Sequence, residues 1–104
     1  MKTKDLMNAI KAVRMDEDSE LAGEALDLLA RKKAKAAIRD YLAMACGGSI
    51  GNLPSAEYDK AVEAILSKLV KKHGKELTAI ALYSLCANWT IPPAMFNHLL
   101  TIVD

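Results

Sequence analysis

The sequence predicts an all-α protein: a compact bundle or orthogonal array of about five helices, with no β-sheet. Three observations carry this. Apolar residues recur at three- and four-residue spacing along most of the chain. Aromatic residues make up only 5% of it, so Ala and Leu carry the interior, which suits close helix-on-helix packing. No segment shows strand alternation with turn chemistry on both sides. The 104 residues read as one helical domain, 1–104, with helical halves 1–46 and 55–104 joined by a Gly-rich loop, 47–54. That length buries one modest core without a metal or disulfide, and a hydrophobic content of 52% argues against disorder.

The first helix is expected from Lys4 to about Met15, on the helical spacing of Leu6, Ile10 and Val13 with Met7 beside them. Asp16-Glu17-Asp18-Ser19 then reads as a turn and N-cap, with carboxylates that suit the positive end of the next helix. Residues Ser19 to Ala45 contain one glycine, Gly23, and no proline. Their apolar direction changes along the way. Leu21, Ala22, Ala25, Leu26 and Leu29 share one side, while Ala34, Ala37, Ile38, Tyr41, Leu42 and Ala45 centre elsewhere. Either the helix bends near 31–33 or its ends pack on different partners. A continuous helix is expected, because kinks usually need a Pro, a Gly pair or a bulge.

The third helix starts at Pro54-Ser55, with Glu57 and Asp59 in its first turns. Its buried stripe is Tyr58, Ala61, Val62, Ile65, Leu66 and Leu69. Lys71, Lys72 and His73 suit its negative end, and Gly74 stops it. A fourth helix follows from about Lys75 to Asn88, with Leu77, Ile80, Ala81, Leu85 and Cys86 inward. The fifth starts at Pro92-Pro93, tolerated where amides lack helical partners, and runs to the end.

Several function classes are disfavoured by composition. A net charge of +1 is low for a chain built mainly to hold nucleic acid. No run approaches the roughly 18 apolar residues of a membrane span. Met1-Lys2-Thr3-Lys4-Asp5 does not open a signal peptide, so a cytoplasmic address is expected. Cys46 and Cys86 have no local ligand spacing and read as reduced structural thiols. His73 and His98 are the histidines available to a cysteine, but no local motif places a residue to orient either. No zinc-ligand pairs occur. The loop from Gly47 to Gly51 lacks the Gly-Lys-Ser/Thr ending of a phosphate loop. No catalytic, cofactor-binding or metal-ligating residue is therefore assigned.

Two features point to binding. Residues 16–27 carry six acids and no base, and residues 31–39 carry five bases and no acid. Arg31, Lys35 and Arg39 share a stripe by their four-residue spacing. A helix acidic at its start and basic further on meets a copy of itself favourably when antiparallel, which suggests a two-fold homodimer. Ala30, Ala34 and Ala37 would allow close approach there. Trp89 stands at an inter-helix corner, either plugging the core or anchoring a partner. The apolar end, Leu99-Leu100-Thr101-Ile102-Val103, must dock on the core or on a second subunit. The candidate protein interface is therefore Arg31, Ala34, Lys35, Trp89, Leu100 and Val103.

Residues 85–100 also resemble a helix-turn-helix module. Leu85 and Cys86 fit the first pair, Thr90 the turn, Ile91 follows it, and Phe96 and Leu99 fit the clamping positions. That resemblance implies a DNA-binding regulator whose second helix enters the major groove. Asn97 and His98 would meet bases and Lys68, Lys71, Lys72 and Lys75 would meet phosphates. The turn lacks the usual glycine and the reading helix carries no Arg or Lys. The expected function is accordingly a small non-enzymatic interaction protein that binds another protein, or itself, with charge selecting orientation. DNA binding is the alternative.

Overall fold

A computed structural model of the chain describes residues 2–12, 24–47, 54–87, 91 and 93–103. Every element among them is a helix: α1 (Thr3–Ala12), α2 (Glu24–Lys33), α3 (Lys35–Gly47), α4 (Ser55–His73), α5 (Lys75–Ala87) and α6 (Pro93–Val103). The all-α expectation holds, with six helices rather than about five among the described residues. The radius of gyration is 12.6 Å, against about 12.9 Å expected for a compact chain of this length.

α5 is the axis of the molecule. Nine consecutive residues, Thr78 to Cys86, are buried, and all five other helices pack against it. A helix apolar on every side must be surrounded. Ala79 and Ala81 leave room for close neighbours, while Ile80, Leu82, Tyr83 and Leu85 fill the space between them. The sequence expectation put only part of this helix inward. It missed Thr78, Ala79, Leu82, Tyr83 and Ser84, and Leu77, expected inward, is only partly buried. The two buried polar side chains have acceptors. Thr78 Oγ1 donates to the Gly74 carbonyl at 2.8 Å, and Ser84 Oγ lies 3.5 Å from Asp27 Oδ1 of α2.

α1 contributes Leu6 and Ile10, both fully buried. α4 contributes Val62, Ile65, Leu66 and Leu69, with Tyr58 packed at the edge. α6 covers the remaining side with Phe96, Leu99, Leu100 and Val103. The Phe96 ring meets Tyr83 edge-on, with centroids 6.2 Å apart, a favoured aromatic geometry. Ile91 is buried, and its N–H donates to the Leu85 carbonyl at 3.2 Å. That bond satisfies an acceptor near the end of α5.

The single continuous helix expected across residues 31–33 is not found: α2 ends at Lys33 and α3 starts at Lys35. The interruption is one residue long, Ala34, and not a loop. Ala34 N–H still donates to the Ala30 carbonyl at 3.0 Å, and Ile38 N–H to the Ala34 carbonyl at 2.9 Å. Packing supplies the reason, since no proline or glycine does. α2 lies along α5, whereas α3 answers to both α4 and α5. The inward stripe is Ala30, Ala34, Ala37, Tyr41 and Ala45, whose steps of three and four residues keep one face inward across the bend. Leu29 and Leu42, expected inward, are instead 36% and 37% exposed. The acidic turn at 16–19, the N-terminal part of the second helical region and the glycine-rich connection at 48–53 lie outside the described residues.

The joint between α4 and α5 is one residue long. Gly74 has φ +91° and ψ 164°, backbone that is essentially reserved for glycine. Its N–H donates to the Val70 carbonyl at 2.9 Å, closing α4, and its carbonyl accepts from Thr78 N–H at 3.1 Å, opening α5. A Cβ at this position would meet no atom within 4 Å, so conformation alone opposes a side chain. Gly74→Ala should therefore destabilise the fold by about 1–3 kcal/mol. Thermal unfolding checks this, with a fall in Tm of at least about 4 °C expected.

Candidate protein-interaction surface

With the alanine stripe turned inward, the outer flank of α2 and α3 carries Leu28, Arg31, Lys35, Ile38 and Leu42. Steps of three and four residues bring them onto one side of the bent pair. Leu28 is 59% exposed, the most exposed of the large apolar residues among those described. Ile38 is half-buried. At the bend, Arg31, Lys32, Lys35 and Ile38 line an open groove of about 470 Å³. Three exposed cations thus surround an apolar patch.

Among the described residues, the charges of this flank are largely uncompensated. Arg31 donates to Asp27 Oδ2 at 2.8 Å, one turn earlier on α2. Lys32, Lys33, Lys35 and Arg39 are exposed and make no ion pair among the described residues. A surface of this kind attracts negative groups and disfavours positive ones.

The proposed interface residues separate on inspection. Arg31 and Lys35 lie on the exposed flank. Ala34, with Ala30 and Ala37, does not: all three are buried in the chain's own core, so the close approach that alanine permits is used inside the molecule. Leu100 and Val103 are likewise buried against the core, at 8% and 2% exposure. Trp89 and Thr90 lie outside the described residues.

Two residues of the DNA-binding alternative, His98 and Lys72, pair with carboxylates on different sides of α4. His98 Nε2 donates to Glu63 Oε1 of α4 at 3.0 Å, which sets a carboxylate beside the would-be reading face. Asn97 and Thr101 are exposed nearby on α6. Lys68, Lys71 and Lys72 stand about 140°, 80° and 180° round α4 from Glu63, taking about 100° per residue. Lys72 reaches the opposite neighbour, donating to Asp40 Oδ2 of α3 at 2.8 Å. Lys75, exposed, opens α5. Leu85, Cys86, Ile91, Phe96 and Leu99 are all buried, as core residues of any helix pair would be.

Sequence reading missed the Asp40 cluster. Asp40 Oδ2 accepts from Lys72 Nζ at 2.8 Å and from His73 Nε2 at 2.7 Å. An ionised carboxylate only accepts, so Nε2 carries the proton. Hydrogen bonds from Lys72 and then His73 hold the Asp40 carboxyl below its ordinary value. The three residues clasp α3 to α4 across 33 positions of sequence, a separation at which no local pattern signals contact. His73 stands in the last turn of α4, as the sequence predicts, and serves this clasp as well.

Cys86 is fully buried, and burial pushes its thiol up to about 11. It is therefore protonated at neutral pH and a poor nucleophile. Among the described residues, no three His, Cys, Asp or Glu side chains group as metal ligands would. No described helix is long and apolar enough to cross a membrane. No protein-family model matches the chain, and no curated protein or solved structure shows significant similarity to it.

Two measurements follow from this chemistry. Because Asp40 has a lowered folded-state value, its pairing stabilises the fold above the unfolded carboxylate range and the benefit fades as pH falls through the folded value. The Tm gap between wild type and Asp40→Asn should be open at about pH 5 and close as pH falls below about 4, the ordinary carboxylate range. In a Cys46→Ser background, Cys86 should resist Ellman's reagent until denaturant is added. Rapid labelling of the native protein would contradict its burial.

Proposed function

We propose that this protein is a small interaction module, without catalytic activity, that binds another protein through the exposed flank of α2 and α3. One observation carries the reading: apolar side chains led by Leu28, 59% exposed, share one face of the α2–α3 pair with the cations Arg31 and Lys35. Apolar burial supplies affinity in such interfaces, and charge sets orientation and partner choice. The buried, protonated Cys86 supports a non-catalytic role. A second copy of the chain is a partner of the same kind.

A photoactivatable benzoylphenylalanine at position 28, with position 57 on exposed α4 surface as control, tests this in cell extract. Position 28 should give a discrete protein adduct that excess unlabelled wild type removes and Leu28→Glu does not. The competitor should remain folded, since surface substitutions usually change stability by less than about 0.5 kcal/mol. Equal labelling at both positions, or an adduct that Leu28→Glu competes equally well, would contradict the reading.

A further inference from the structure

We infer that the α2–α3 flank takes an acidic amphipathic helix of a partner protein, laid along Leu28, Arg31, Lys35, Ile38 and Leu42. This rests on the interaction reading above and adds the chemistry of the partner. Length is the first argument. The strip from position 28 to position 42 is about 21 Å long at 1.5 Å per residue, about four helical turns. A helix docked in a groove presents anchors at this same three- and four-residue rhythm.

Charge is the second argument. Residues 31–39 hold Arg31, Lys32, Lys33, Lys35 and Arg39 and no acid. An approaching basic or neutral helix gains nothing from them, whereas Asp and Glu flanking an apolar stripe meet cations on the strip and on the groove wall. Arg31 already holds one carboxylate, that of Asp27, at 2.8 Å. Its guanidinium has five N–H donors, so it offers further hydrogen bonds to a second carboxylate from the partner.

The apolar component is the third argument, and it separates this partner from nucleic acid. Leu28 and Leu42, 59% and 37% exposed, bracket the groove at the bend. A phosphate backbone would satisfy the cations and leave those leucines in water. An amphipathic helix covers both kinds of group together: its apolar stripe lies on Leu28, Ile38 and Leu42, and its acidic edges lie on Arg31, Lys35 and Arg39.

The experiment titrates the full chain into a labelled designed helix of about 18 residues, with Leu along one stripe and Glu at its edges. A scrambled peptide of identical composition and a twin with Lys in place of Glu are the controls. The acidic helix should bind at least about tenfold more tightly than either control and weaken several-fold from about 50 to 300 mM salt. Leu28→Glu and Lys35→Glu should each weaken it at least about tenfold, with the circular dichroism spectrum unchanged. Equal binding of the scrambled peptide, or indifference to both substitutions, would overturn the proposal. So would tighter binding of duplex DNA or phosphatidylserine vesicles on the same residues. A dimer in sedimentation that Leu28→Glu dissociates would assign the flank to a second copy instead. If the position-28 adduct persists while the acidic helix fails to bind, this partner class falls and the interaction reading stands. If both fail, both fall.

Discussion

Burial of α5 on every side is the constraint from which the rest of the architecture follows. A helix with no face for water cannot be stable until its neighbours are in place, so α1, α2, α3, α4 and α6 are each committed to it. Each of those neighbours spends its own apolar side on that contact. Only then does the outer surface take its character: charged on α2, α3 and α4, and sparsely polar on α6. The small residues Ala79 and Ala81 matter as much as the large ones, because five helices reach a single axis only where the axis is slim.

Much of this was legible in the sequence, and the parts that were not have physical reasons. α4 could be read closely, because Pro54 and Gly74 mark its ends and Val62, Ile65, Leu66 and Leu69 sit on one regular stripe. Helical spacing predicts a one-sided α5, whereas Thr78 to Cys86 are all buried. Its informative signal was a different one: from Leu77 to Val103 the chain carries no Asp, Glu, Lys or Arg. A stretch that long without charge marks the centre of a small protein more directly than any periodicity. The bend at Ala34 had no local marker, because it follows from where α4 and α5 stand. Alanine is ambiguous in the same way. Ala30, Ala34 and Ala37 suit a close helix contact, and composition does not say whether that contact is within the chain or between chains.

The candidate surface shows the same division between local and distant information. The basic block at 31–39 was plain in the sequence, and so were the lysines near the end of α4. Their separation was not. Asp40 draws Lys72 and His73 towards α3, while Glu63 draws His98 towards the other side of α4. The basic side chains Lys72, His73 and His98 are thereby distributed over two seams between helices. On α2 and α3, Lys32, Lys33, Lys35 and Arg39 make no ion pair among the described residues, and the apolar side chains of Leu28 and Leu42 remain in water beside them.

The late position of α5 in the chain has a consequence for synthesis. α1 ends at Ala12, but the helix it packs on begins at Lys75. On a ribosome that adds about 5–20 residues per second, α1 emerges seconds before the axis that organises it, and α4 directly ahead of that axis. During that interval Leu6 and Ile10 have no permanent place to go. The packing seen here is thus completed only once the uncharged stretch from Leu77 to Val103 has emerged.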